Sequence, residues 1–151
     1  MWKLMFFRPE TYSTDSTRSP EWNRGAYLVS ALGHCHECHT PRNLLGATKQ
    51  SHSLAGATYG PDNEKVPNIT PDEETGIGDW GRDDILWFLQ TGFLPDGDVV
   101  GSSMADVIEH STSHLTAADQ SAIAAYLQSL TPIHKQLHTN AKLERNQTGA
   151  Q

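Results

Sequence analysis

Apolar and polar positions recur at helical spacing in three separate stretches of this 151-residue chain, and nowhere do they alternate as in a half-buried strand. The first stretch is SPEWNRGAYLVSALG, residues 19–33, with Trp22, Ala26, Val29 and Leu32 on one face. Ser19 suits the N-cap, Pro20 the first helical position, Glu21 the positive end of the dipole and Gly33 the stop. Gly25 falls mid-helix, where glycine costs about 1 kcal/mol against alanine, so another helix is expected to approach closely there. The second stretch is RDDILWFLQTG, residues 82–92, with Asp83 and Asp84 in its first turn, a stripe of Ile85, Phe88 and Leu89, and Gly92 at its end. The third is TAADQSAIAAYLQSL, residues 116–130. Thr116 and Asp119 stand three apart as in a capping box, Ile123, Tyr126, Leu127 and Leu130 share a face, and Pro132 follows as a stop.

Between these helices the pattern fails. Residues 40–80 are rich in Gly, Pro, Asn, Ser and Thr, and their larger apolar side chains, among them Leu44, Leu45, Leu54, Tyr59, Val66, Ile69 and Ile77, follow no period. So long an irregular segment is unusual in a compact domain unless it serves function, and it becomes reasonable if it wraps a body that supplies the interior itself. Residues 93–114 also read as a loop, with Met104 in a Gly- and Ser-rich turn before the last helix. The expected organisation is an N-terminal arm or inter-domain linker over 1–18, one domain over 19–132 and a polar C-terminal tail over 133–151.

Composition sharpens this picture. Only 36% of residues are hydrophobic, while 12 Gly and 8 Pro break the chain, so cohesion from a metal, a cross-link or a cofactor is expected. The formal charge of −7 is concentrated in residues 61–120, where two Lys/Arg face thirteen Asp/Glu. An acidic middle argues against a nucleic-acid partner and suits a solvated face or a basic protein surface. No run approaches the ~18 apolar residues of a membrane span. The opening MWKLMFF is too short for the apolar region of a signal peptide, and no cleavage site follows it.

The candidate chemistry lies in GHCHECHTPRN, residues 33–43, which holds both cysteines of the chain. Cys-x-x-Cys-His is the attachment signature of a c-type haem. Thiols two residues apart reach the two vinyl groups along one porphyrin edge, and the following imidazole falls beneath the iron. Those roles fall to Cys35, Cys38 and His39. A zinc-binding CxxC module would need two further ligands, and no second Cys pair or spaced His pair provides them. A thioredoxin-like dithiol would need a strand–helix context that the pattern lacks. A disulfide across so small a loop would stabilise little.

A haem iron bound by His39 takes its sixth ligand from elsewhere. Met104 is the leading candidate, because Met1 and Met5 lie in the arm. His110 and His114 compete, with His52 behind them; two-histidine ligation would give a lower reduction potential than His/Met. His/Met ligation would leave no iron position for substrate or dioxygen, which points to a one-electron carrier rather than an enzyme. A haem-based gas or redox sensor, with a dissociable Met104, is the alternative.

The order RGAYLV, GHCHECHTPRN, PNITPDEETGIGDW, DILWFLQTG, GSSM, AIAAYLQSL resembles the class I c-type cytochromes over residues 19–132. It is most similar to the cytochrome c domains of multi-haem subunits of bacterial membrane-associated dehydrogenases. The resemblance implies an all-α fold of three to five helices, with long loops around one covalent haem c. It implies that the first and last helices cross near Gly25 and Tyr126, and that the Pro67 carbonyl accepts a hydrogen bond from His39. It makes Trp80 and Arg42 candidates for the haem propionates, though Trp80 equally suits packing at a helix entry and Arg42 a solvated loop. Leu45, Leu54 and Ile69 would line the pocket. It further implies redox partner proteins (a dehydrogenase, other cytochromes or an oxidase) and export to the periplasm, with membrane association only through an upstream segment or a partner subunit. The opening WKLMFFRPETY resembles a link between successive haem domains, so the chain is expected to be the last domain of a longer one, with Met1 added.

Overall fold

The computed structural model describes residues 1–7, 11–60 and 63–135. The described elements are helical: α1 (Trp2–Phe6), α2 (Pro20–Tyr27), α3 (Cys35–His39), α4 (Arg82–Thr91), α5 (Ser102–His110) and α6 (Ala117–Gln128). Among the described residues there is no strand, only three isolated antiparallel bridges at Arg42–Thr48, Ala57–Val66 and Phe93–Val99. This is an all-α fold of the class I cytochrome c kind.

The caps follow the sequence. Ser19 accepts from the Trp22 N–H at 3.1 Å, with Pro20 opening α2, and Thr116 accepts from the Asp119 N–H at 3.2 Å to start α6. Gly81 has no side chain with which to cap α4; instead its own N–H donates to Asp84 at 2.8 Å, half of a capping box. Gly92 ends α4 with φ +79°, the left-handed conformation that glycine adopts without strain.

The first helix departs from its expected face. After Tyr27 the chain widens into a π-turn over Leu28–Leu32, closed by the Gly33 N–H on the Leu28 carbonyl at 2.6 Å. Leu28, three residues after Gly25, is buried on the face of α2, and the extra residue per turn rotates the later positions, so Leu32 is 56% exposed. The second departure concerns Met104. It lies not in a loop but in the first turn of α5, for Gly101, Ser102 and Ser103 are the entry to a helix rather than a connection.

Helices α2 and α6 cross as the main packing pair, with α4 against α6. Gly25 makes the crossing: a methyl there would come 1.9 Å from the Ala122 carbonyl oxygen. Trp22 closes one end, ring on edge to Tyr126 at 5.2 Å and its indole N–H donating to Ser129 at 2.6 Å. At the other, Arg24 grips Asp119 through two hydrogen bonds of 2.7 and 3.0 Å. The core contains Leu28, Val29, Leu54, Ile85, Leu89, Ile123 and Leu127. Full burial of each such side chain contributes about 1.5–3 kcal/mol.

Two segments expected to be peripheral are tied down. Asn23, buried on α2, accepts from the Asp15 N–H at 2.6 Å and donates to the carbonyls of Asp15 and Arg18, so residues 12–18 lie along α2. Residues 131–135 run back over the loop that contains Asn68 and Thr70. The expected tail from 136 onward, including His138, lies outside the described residues.

Candidate functional site

The site begins where the π-turn hands over to α3. His34 takes the left-handed conformation, φ +51°, and turns the chain into the helical segment Cys35–His39. Residues 35, 38 and 39 stand at i, i+3 and i+4, so one face of this turn carries Cys35, Cys38 and His39 together. The two thiols are free and half-buried. Cys35 packs against the core, and that burial pushes its thiol up to about 11.

His39 is buried at the centre of this face. Its Nδ1 lies 2.9 Å from the Pro67 carbonyl oxygen, an acceptor only, so Nδ1–H donates and Nε2 carries the free lone pair. None of the described residues bonds Nε2. Burial pulls the imidazole below its usual range; the Pro67 bond opposes this and His36 adds to it, leaving a neutral ring at pH 7.

The loop of 40–80 earns its irregular backbone here. The Gly56 N–H donates to the His39 carbonyl at 2.7 Å, the Leu54 N–H to Thr40 Oγ1 at 3.0 Å, and the Ile69 N–H to the Leu54 carbonyl at 2.9 Å. The His39 carbonyl and the Thr40 hydroxyl are thus hydrogen-bonded to Leu54–Gly56, and that segment is bonded in turn to Ile69, two residues after Pro67. Periodicity could not disclose this, because the bonds join single residues far apart in an irregular loop; the polar residues Thr40, Asn43 and Asn68 were the available signal.

The other expected site residues fall in different surroundings. Met104 is half-buried on α5, which rests on α4 and on the turn at Thr112–His114, whereas α3 rests on the π-turn. His52, His110 and His114 are all exposed. Arg42 commits three of its five donors, to the Gly46 carbonyl at 2.8 Å and to Glu37, whose carboxylate it meets at 2.5 Å. Trp80 packs on the core, its ring 5.4 Å from Phe88, and its indole N–H bonds none of the described residues. Leu54 is buried at φ +61°, Ile69 is half-buried, and Leu44 and Leu45 are exposed beside α1, where the Trp2 indole donates to the Leu45 carbonyl at 2.8 Å.

Two unlinked thiols and a neutral imidazole with one free nitrogen, all on one helical face, fit the attachment chemistry of a c-type haem. A zinc module fits poorly: among the described residues no three His, Cys, Asp or Glu converge to hold a metal ion.

No protein-family model matches the chain. Curated relatives do. The chain is 43% identical over 151 residues to the fructose dehydrogenase cytochrome subunit of Gluconobacter japonicus, across 99% of the chain and 29% of that protein. It is 45% identical over 132 residues to a dihaem c-type cytochrome of Cereibacter sphaeroides, across 87% of the chain and 43% of that protein. It is 40% identical over 139 residues to the cytochrome c subunit of a quinone-dependent alcohol dehydrogenase of Gluconobacter oxydans, across 88% of the chain and 29% of that subunit. The chain is a c-type cytochrome domain. This cytochrome domain spans between 29% and 43% of the length of these relatives. Among its described residues no helix is long and apolar enough to cross a membrane.

Proposed function

We propose that this cytochrome domain, residues 19–132, transfers single electrons through one covalently held haem c. Cys35 and Cys38 would form the two thioether links, His39 Nε2 would ligate the iron from one side and Met104 from the other. The arrangement of Cys35, Cys38 and His39 on one turn, with His39 oriented by Pro67, is the observation that carries this reading. When bound, the haem supplies a one-electron couple, and six strong ligands leave it no position for substrate chemistry.

The chain's own residues set the conditions for that couple. Pro67 fixes the tautomer and the plane of His39 and makes its Nε2 a stronger donor. Leu28, Val29 and Leu54 belong to the buried core against which Cys35 packs. Trp80 offers its unengaged indole N–H to a propionate. Arg42 braces α3 through Glu37 and has two donors left for the same use.

On this reading the domain is an electron-transfer unit and not itself an enzyme. Its donor is a dehydrogenase or an adjacent haem, its acceptor another cytochrome, an oxidase or a quinone, and its place is the periplasm, where haem is attached. The names of the relatives, cytochrome subunits of dehydrogenases, support the dehydrogenase as donor. Protein matured with a haem-attachment system should give the reduced-form absorption bands of haem c, and the colour should survive acid-acetone extraction. Extractable or absent haem would refute the proposal. Ready binding of carbon monoxide to the ferrous protein would replace the carrier by a sensor.

A further inference from the structure

A buried, fully hydrogen-bonded polar cluster directly follows Pro67. Asn68 and Thr70 are only 2% and 1% exposed. Asn68 Oδ1 accepts from the Thr70 N–H at 2.9 Å and the Thr70 hydroxyl at 2.8 Å, while its Nδ2 donates to Thr75 Oγ1 at 3.0 Å and the Ile133 carbonyl at 2.8 Å. All four bonding positions of this amide are used. Residues 133–135 return the grip. The Ile133 N–H donates to Thr70 Oγ1 at 3.1 Å and the Lys135 N–H to Thr75 Oγ1 at 3.0 Å, and the Lys135 ammonium bonds the Gly56 carbonyl.

These contacts bear on one peptide group. The Pro67 carbonyl shares a rigid plane with the Asn68 N–H, so fixing Asn68 fixes where that carbonyl points. Gly56 closes the opposite side: a methyl on it would stand 2.8 Å from the Asn68 nitrogen and 2.9 Å from the Pro67 carbonyl carbon. The peptide that orients His39 is therefore clamped between Gly56 and a segment that leaves the far end of α6.

We infer that residues 133–135 form a strap which, through Asn68 and Thr70, holds the Pro67 carbonyl on His39 and thereby tunes the reduction potential of the centre. Asn68, Thr70 and Ile133 are positioning residues. The inference rests on the proposed role of His39 as haem ligand. A loosened Pro67 carbonyl leaves a weaker bond from Nδ1–H, a less basic imidazole and a less stabilised ferric state, so the potential rises.

The test uses the full-length haem-loaded protein. Thr70→Val keeps shape and removes the hydroxyl; Ile133→Pro removes the N–H that reaches Thr70, together with the isoleucine side chain and the freedom of φ at that position. In each, the ferric-to-ferrous ratio at a fixed ambient potential should fall about threefold, as for part of one net hydrogen bond. Thr70→Ser should restore it. Asp119→Asn, in the first turn of α6 and so at the end away from residues 133–135, serves as a control that loses stability without moving the ratio. Should Thr70→Val and Ile133→Pro melt earlier yet keep the parent potential, the strap is structural only and the inference fails. A colourless parent protein would instead sink the haem reading beneath it.

Discussion

Gly25 sits so close to Ala122 that the two helices touch backbone to backbone: a Cβ on Gly25 would lie 1.9 Å from the Ala122 carbonyl oxygen and 2.8 Å from Tyr126 Cβ. Helix propensity alone predicts that Gly25→Ala gains about 1 kcal/mol. Overpacking against a carbonyl predicts the reverse, a loss of about 3 kcal/mol, the upper part of the usual range, because backbone cannot yield as a side chain can. Chemical denaturation of the haem-loaded variant checks the sign, and a raised midpoint would contradict the crossing.

The sixth ligand makes a separate prediction. Met104→Ala should leave an open iron position, so that the ferrous protein binds carbon monoxide where the parent does not. Met104→His should keep six-coordination and lower the potential, since thioether ligation favours the ferrous state. Absorption spectra with and without carbon monoxide decide the first, and redox titration the second. An unaltered spectrum in both variants would move the ligand to one of the exposed histidines.

Acid sensitivity follows from two carboxylates. The Arg24 guanidinium bonded to Asp119, and the Thr75 hydroxyl bonded to Asp72, hold these carboxyls below their ordinary 3.8. A depressed folded-state value means that the unfolded chain protonates first. Their contribution is thus complete above about pH 4 and is lost as pH falls from there through the lower folded values. Both groups are near the surface, so the effect is modest and shrinks in salt. Asp119→Asn should flatten part of the decline in thermal midpoint below pH 4, while leaving the midpoint at pH 7 reduced. An acid limb identical to the parent's would show that the pair contributes nothing.

Helices α2, α4 and α6 could be read from the chain because their signals are local: Ser19 and Thr116 cap, Gly92 stops, and Ile85, Leu89, Ile123 and Leu127 recur on one face. The π-turn escaped because one added residue leaves the composition unchanged while rotating Leu32 outward. Helix α5 escaped because Gly101, Ser102 and Ser103 carry the same signal whether they form a loop or a helix entry. At the site, the spacing of Cys35, Cys38 and His39 is local, and the structure gathers the three on one face of a helical turn. The bond from His39 to Pro67 agrees with what the family resemblance implied. The bracing around them did not show, because Asn68, Thr70 and Ile133 meet across more than 60 residues of sequence. Such polar contacts have no period.

The intact mass of the matured protein bears most directly on whether a haem is covalently attached. The account predicts the 16.6 kDa polypeptide plus one haem, with the increment persisting under denaturing conditions and lost when Cys35 and Cys38 are both replaced by alanine. A mass equal to the polypeptide alone, from cells that attach haem to other cytochromes, would contradict it.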